Sequence, residues 1–516
     1  MVLRDGARKS LWQETTTGFL PAIEKEQQQY DVIIAGGGIT GLTLGTVLQR
    51  EGKRCLILEA QTLGFGTTGG TTAHLNTVMD NPYPQMIKDF GLENSRLVAT
   101  AAREAIDLVK ANVERYSIDC GFEEVPGYLF SQNATQTKEL EDIAEACRQV
   151  GVACEFVQEL PVSIPFEKVL KFERQAKFHP LRYVLKLAQV FEKEGGSIIE
   201  SCRVLGSSKG DRDLVNVETS TGTFTAKHLV FATHIPIGVN LIHFRCSPYR
   251  SYAMAVKLED EAYPESLIYD MYDPYHYYRT QNIDGVNYLI VGGDDHRTGE
   301  EPNTNGCFLK LESHVRSHFN VSSVVAQWSS QYFEPADGLP YIGHLPGNPE
   351  NVLVATGYGG NGMTYSHVAA ITLSSMILNR HSDYVKLFSP SRLKPVAGFT
   401  EFVKHNADVV KQFVGGWLGM DKLDQAAELA YNDAKVVRFE GESLGVYKDG
   451  SGVLHAVNPA CTHVKCSVAW NSAEKSWDCP CHGARYSVDG EVLTGPASRD
   501  LEKVDLRTLA EKESNE

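Results

Sequence analysis

The sequence predicts an α/β domain interrupted by a sheet-rich insertion and followed by a small all-β domain. Three observations predict it. Residues 30–60 read as strand, glycine turn, helix and strand, the βαβ unit that announces a parallel sheet. Stretches such as 249–258 (YRSYAMAVKL) and 275–293 (YHYYRTQNIDGVNYLIVGG) alternate in β fashion and interrupt that pattern. From Ala434 onward short strands and glycine turns dominate (KVVRFEG, LGVYKDGSGVLHAV, ARYSVDGEVLTG).

In the first unit, YDVIIA is an apolar run ending at Gly36-Gly37-Gly38. ITGLTLGTVLQREG follows as a helix with Ile39, Leu42, Val47 and Leu48 on one face and Gly52 as its stop; RCLILEA is the second strand. Segments 96–115 and 136–150 have the spacing of amphipathic helices. KHLVFATHIP (227–236) and ENVLVATGYGG (350–360) read as buried strands running into turns, and a helix from about Met363 to Asn379 closes the region. The two prolines of LFSPSRLKP (387–395) mark a boundary. Residues 398–430 read as a helical connector whose apolar face packs between domains or in an oligomer; it has too few basic residues for a membrane-surface helix.

Composition narrows the function. With 516 residues the chain is too long for one core. Its 42% hydrophobic and 22% charged residues are those of a globular protein, and a net charge of −16 argues against nucleic acid or an anionic membrane as partner. No apolar run reaches the roughly 18 residues of a membrane span. The first 30 residues mix charge and polarity without an export signal, so the expected location is the cytoplasm. Seven of the eleven cysteines are scattered singly, as in reduced intracellular proteins, whereas four crowd into residues 461–481.

Those four belong to two boxes, Cys461-Thr-His463-Val-Lys-Cys466 and Cys479-Pro-Cys481-His482-Gly483. Each box offers one thiolate and one imidazole in Cys-x-His and Cys-x-x-His spacing. Residue type alone does not separate this set from a Cys2His2 zinc site, although zinc fingers usually pair Cys with Cys and His with His. The double box resembles the Rieske family in its disulfide-containing form. The resemblance implies a [2Fe–2S] cluster held by Cys461, His463, Cys479 and His482, with two imidazoles lifting its potential above all-Cys clusters. It further implies a Cys466–Cys481 disulfide, a hydrogen bond from Tyr486 to a ligand cysteine, and a covering loop at Gly495-Pro496-Ala497. Ala484 stands where high-potential members keep a serine donor, so an intermediate potential is expected.

The upstream constellation is Gly36-x-Gly38-x-x-Gly41 between strand and helix, with Glu59 and Ala60 ending the next strand. The glycines admit a pyrophosphate to the helix start at Ile39 and Thr40, and Glu59 accepts from ribose hydroxyls. A second literal GxGxxG at Gly357-Tyr-Gly359-Gly360-Asn361-Gly362 lacks the following strand and acidic residue, so a second dinucleotide domain is not expected. With Asp337-Gly-Leu-Pro-Tyr-Ile-Gly343 it resembles the C-terminal flavin motif of the D-amino-acid oxidase-like (DAO) family, which assigns Gly359, Gly360, Asn361, Gly362, Met363 and Thr364 to the flavin. Thr233 and Val204 match other cofactor-contacting positions. Gly66–His74 supplies a third segment, in which Thr67, Thr68, Thr72, Ala73, His74 and Leu75 are candidate contacts. His74 stands near where some relatives attach FAD covalently; a non-covalent contact is the plainer reading.

Together the two resemblances cover nearly the whole chain and are those of bacterial FAD-dependent oxidoreductases with a C-terminal Rieske domain. They imply a fold of class α/β plus β: a Rossmann-like FAD-binding domain with an inserted antiparallel-sheet substrate domain, then a small all-β Rieske domain. The expected division is an arm at 1–29, the oxidoreductase at 30–390, the connector at 391–430 and the Rieske domain at 431–510. Within the oxidoreductase, the FAD-binding parts are about 30–80, 180–240 and 330–385, and the substrate parts about 81–179 and 241–329. The arm is expected to fold back onto the flavin domain.

The implied activity is oxidation of an amine or amino acid at a C–N bond, with electrons leaving FAD through the cluster to an external acceptor, a protein or quinone-like molecule. Arg279, with Tyr278 beside it, is the candidate for holding a substrate carboxylate; the alternative is a structural arginine. Tyr277 and Tyr252 are further candidates for the pocket wall, and His179-Pro180 reads as structural. Two other readings are a reductase component serving a partner oxygenase and a redox sensor. Oligomeric state is left open.

Overall fold

The computed structural model describes residues 4–22, 29–392, 421–422, 429–439 and 442–506. The expected connector at 391–430 lies almost entirely outside them.

The βαβ unit forms as its pattern dictates. Strand Tyr30–Ala35 pairs in parallel with Cys55–Leu58 on one side and Gly222–Phe231 on the other, and Gly222–Phe231 pairs in parallel with Val352–Thr356. Their side chains are buried on both faces: Val32 and Ile34 pack with helices Ile39–Arg50, Pro180–Lys193 and Gly362–Ile377 on one side, and Ile33 and Ala35 pack with Val204, Val215 and Val217 on the other. Strand order in this sheet brings the ends of Tyr30–Ala35, Gly222–Phe231 and Val352–Thr356 side by side, so the turns that follow them converge.

The inserted segments build one further sheet, nine-stranded among the described residues. Its pairings are antiparallel except where Leu267–Asp270 runs parallel to Glu123–Ser131. Strands Cys246–Leu258, Tyr277–Ile283, Val286–Arg297 and Val321–Pro335 form the half that matters for the site. The C-terminal part folds into two small sheets, antiparallel except where Asp421–Lys422 runs parallel to Asp433–Phe439, with the cysteine boxes on their connecting turns. Among the described residues no helix is long and apolar enough to cross a membrane.

The arm does more than fold back. Arg4 and Asp5 are about 1% exposed, at a seam between the inserted sheet and the C-terminal part. Arg485 bridges Asp5 (3.1 Å) and Asp478 (3.0 Å), Arg4 pairs with Asp5 (3.0 Å), and Glu474 lies 3.6 Å from Arg4 and 4.0 Å from Arg250. Glu474 also accepts from Ser329 N (3.0 Å) and Oγ (2.6 Å) and from Ala7 N (2.8 Å). Three guanidinium groups and three carboxylates thus neutralise one another across arm, sheet and C-terminal part. Farther along the arm, Trp12 is fully buried and donates to Thr71 O (2.5 Å).

Removing one member of such a cluster strands the others in a dry seam, at a cost of about 3–5 kcal/mol. Arg485→Met is therefore expected to lower the unfolding midpoint and to expose the C-terminal part to limited proteolysis; a melting curve and cleavage pattern like those of the parent chain would contradict this. Burial pushes the Asp5 and Asp478 carboxyls up, but the arginines prevail and hold both below the usual value. A lowered folded-state pKa gives stability that is present above about pH 4 and lost as pH falls through the folded value. Docking of the C-terminal part should accordingly persist to about pH 4 and fail below it.

Candidate functional site

The converging turns open one cavity. Its first wall is the glycine turn. Gly36 has φ +111°, and a Cβ there would stand 2.5 Å from Ala232 O; a Cβ on Gly41 would meet Gly36 O at 2.0 Å. Glycine is thus required both for the turn and for the approach of the helix. Thr68 Oγ1 accepts from Ile39 N (3.1 Å) at the helix start. At the end of the second strand, Glu59 accepts from Gly37 N (2.7 Å) and Gln61 N (2.9 Å), and burial raises its carboxyl above the usual range. Backbone amides at a helix N-terminus, threonine hydroxyls and a carboxylate 18 or more residues on suit a dinucleotide.

Of the residues expected to hold the cofactor, all but four stand on this wall, including the turn at Gly359–Met363, Val204 and Thr233. The four are Gly41, Ala73, Leu75 and Thr364. Gly41 is the packing glycine just described. Ala73 and Leu75 are in the core, and the Thr364 hydroxyl donates to Asn76 O (3.1 Å). His74 does line the cavity; its Nδ1 meets Tyr269 Oη (2.9 Å), its Nε2 is buried without a hydrogen-bond partner among the described residues, and burial holds the ring neutral.

The far end of the cavity is walled by the inserted sheet: Tyr269, Tyr275, Tyr277 and Tyr332, with Asp80 and Asp295. Arg279 and Tyr278 are not there, which corrects the expectation for both. Side chains alternate along Tyr277–Ile283, so Tyr278 points to the opposite face, where its hydroxyl meets His314 Nε2 (2.5 Å). Arg279 shares the face of Tyr277 but lies beyond the cavity. Fully buried, it donates to Ala73 O (2.6 Å), Phe178 O (3.2 Å) and Gln281 Oε1. With those donors engaged it is a structural arginine tying the sheet to the segment before His74. Tyr252 is likewise off the wall, bonded to His296 (2.9 Å). Nothing local in the sequence singles out Asp80, Asp295, Tyr269, Tyr275 or Tyr332; the alternating pattern around Tyr277 was the available signal.

The second centre lies on the C-terminal part. Each box is a tight turn closed by its own backbone: Cys461 N donates to Cys466 O (2.9 Å), and Cys479 N to Ala484 O (2.8 Å). The expected disulfide joins Cys466 to Cys481. Cys461, His463, Cys479 and His482 come together, with the imidazole centroids 5.0 Å apart and the two thiols within hydrogen-bonding reach of each other. His463 Nε2 donates to Gly238 O (3.1 Å), which leaves the Nδ1 lone pair; that atom is buried without a hydrogen-bond partner among the described residues. Backbone N–H groups of His463 and Val464 aim at the Cys461 sulfur, and those of Cys481 and His482 at Cys479. Two screened sulfurs and an imidazole with its free nitrogen turned inward fit a two-iron cluster. Cys466 also lies near Cys479, but the disulfide leaves it no thiolate to offer.

The two centres share a boundary. Leu493–Gly495, Ala497 and Ser498 of the C-terminal part line the same cavity as the glycine turn, as do Thr233–Ile235 and Ile237. The next residue, Gly238, holds His463 and donates to Pro496 O (3.3 Å). His243 packs against the His463 ring at 4.7 Å and Phe244 against His482 at 5.3 Å. Gln331 donates to Gly483 O (2.8 Å), and Arg203 to Val492 O (2.9 Å).

Comparison with known proteins agrees with this division. Residues 31–376 match the family model of the FAD dependent oxidoreductases (DAO), and residues 420–505 that of the Rieske [2Fe-2S] domain. The chain is 34% identical over 504 residues to YhfW of Bacillus subtilis (strain 168), named a Rieske 2Fe-2S iron-sulfur protein; the match covers 97% of this chain and 98% of that one. It is 23% identical over 369 residues to the gamma-glutamylputrescine oxidoreductase of Escherichia coli (strain K12), covering 67% and 83% respectively. Its fold resembles that of glycine oxidase from Geobacillus kaustophilus, with a TM-score of 0.60 at 18% identity over 71% of this chain and 100% of that one.

Tyr486 Oη lies 3.1 Å from both Cys461 Sγ and Thr462 Oγ1 and accepts from Thr462 N (3.1 Å); toward a cluster-bound thiolate, which can only accept, Tyr486 is the donor. A hydrogen bond to a charged sulfur favours the reduced cluster by about 1–2 kcal/mol, or about 40–90 mV for one electron. Tyr486→Phe should lower the cluster's midpoint potential by that order in a redox titration followed by EPR, with the cluster retained; an unchanged potential would contradict the assigned bond.

Proposed function

The chain belongs to the FAD dependent oxidoreductase (DAO) family and carries a Rieske [2Fe-2S] domain, and from that premise we propose that it oxidises an amine or amino acid at a C–N bond and delivers the electrons through the cluster to an external acceptor. Bound FAD would supply the hydride acceptor for the carbon bearing nitrogen, leaving an iminium for water to hydrolyse. Cys461, His463, Cys479 and His482 would hold the cluster, and the two glycine turns with Glu59 and the Thr67–Thr72 segment would hold the nucleotide.

The observation that carries this reading is the shared boundary. A one-electron centre serves a two-electron cofactor when the pair must be split, and that requires proximity. Here the cavity wall at Ile237 is one residue from Gly238, which accepts a hydrogen bond from His463, and the loop 493–498 completes the cavity. The protein's own part is positioning: the helix starting at Gly362 turns its positive end toward the cavity, and the seam of arginines and carboxylates fixes the C-terminal part in place.

Anaerobic addition of amines and amino acids to the oxidised holoprotein tests this. For a true substrate, bleaching of the flavin absorbance should be followed by loss of the Rieske bands. Bleaching with a cluster that stays oxidised would refute the relay, and reduction of both centres by NAD(P)H alone would reverse the proposed direction of flow.

A further inference from the structure

The tyrosine-walled end of the cavity carries two carboxylates without a cationic partner. Asp80 accepts from Gly360 N (2.7 Å) beside the second glycine turn. Asp295 Oδ2 accepts from Tyr332 (2.9 Å), and Ser251, itself bonded to Tyr277 (2.7 Å), lies next to it. Asp295 Oδ1 is buried and makes no hydrogen bond among the described residues. Neither carboxylate forms an ion pair among them. The guanidinium on the cavity wall, that of Arg203, is at the opposite end, attracted to Glu59. Arg279, the candidate for a carboxylate clamp, lies outside the cavity.

An ionised carboxylate in such a place is costly until a cation or a proton meets it. Tyrosine faces favour the cation, because the ring quadrupole attracts an ammonium, and Tyr275 and Tyr277 stand 5.6 Å apart beside these acids. The nitrogen undergoing oxidation cannot be that ammonium: a C–H bond gives up hydride only when the neighbouring nitrogen has a free lone pair. A cation that stays held here through turnover is therefore a second nitrogen of the same molecule.

We infer that Asp295, walled by Tyr277 and Tyr332, anchors a distal ammonium, so that the substrate is an amine with a second cationic nitrogen rather than an α-amino acid held by its carboxylate. This rests on the amine-oxidising reading above and narrows its substrate class. Burial raises the Asp295 carboxyl to about 7, ahead of the lowering by Ser251 and Tyr332, so it meets an incoming ammonium part-protonated and ionises as the cation arrives.

Three probes that differ only at the far end of one chain test this on the full-length holoprotein: 1,4-diaminobutane, pentylamine and 5-aminopentanoate. Anaerobic titrations would follow both the spectral perturbation of oxidised flavin on binding and the rate of bleaching. The diamine should bind best and 5-aminopentanoate worst. The diamine should lead pentylamine by about 10- to 100-fold, the worth of one charge-assisted hydrogen bond in a desolvated site. Asp295→Asn should collapse that ratio toward one, and Asp295→Glu should restore part of it; should the asparagine variant fail to fold, the probe order in the parent chain decides alone. Equal responses to diamine and pentylamine, a preference for 5-aminopentanoate, or no response to the diamine would overturn the inference. Bleaching by pentylamine and the diamine at equal rates would do so while leaving amine oxidation intact. Tight diamine binding without any bleaching would support the anchor and count against the oxidation it was built upon.

Discussion

Arg485 reaches Asp5 at the start of the chain and Asp478 in its own domain, and the placement of both cofactor sites depends on that reach. The Arg4, Arg250 and Arg485 guanidiniums face Asp5, Glu474 and Asp478 in a seam from which water is excluded. Ion pairs of this kind add little net stability over an apolar seam of equal volume. What they do is discriminate: a rotated or shifted domain would leave charges buried without partners. The docking observed brings all six charges into ion-pair range, and it puts loop 493–498 at the flavin cavity and His463 against Gly238.

Charge is distributed along the cavity with the same logic. The nucleotide end combines a helix N-terminus, threonine hydroxyls and Arg203, which suit phosphates and ribose. The far end is anionic and aromatic, which suits an amine. The buried arginine that might have reversed this polarity, Arg279, is held by the carbonyls of Ala73 and Phe178 and faces Trp12 of the arm at 5.4 Å. The arm therefore contributes to the shape of the site without entering it.

Much of this was legible in the sequence wherever the information was local. The glycine turn and Glu59 are short-range patterns, the cluster ligands and the Cys466–Cys481 disulfide were implied by the resemblance of the two boxes to the Rieske family, and the structure brings each set together. Placement on the sheet was less legible. Tyr277, Tyr278 and Arg279 are consecutive, yet one lines the cavity, one faces the other side, and one lies beyond its end; strand parity and the position of the cavity along the strand are tertiary facts. Asp80 and Asp295 belong to no motif and become a pair only when a segment after the first βαβ unit meets the inserted sheet. The seam was invisible for the same reason, since Arg485 and Asp5 are 480 residues apart.

On the proposed reading the two redox centres work as one unit within one chain. Photoreducing the flavin in the absence of any substrate and following the Rieske signal over a range of protein concentrations tests it directly. Transfer within one chain gives first-order cluster reduction at a rate independent of concentration. A rate proportional to concentration, or a cluster that remains oxidised beside reduced flavin, would contradict it.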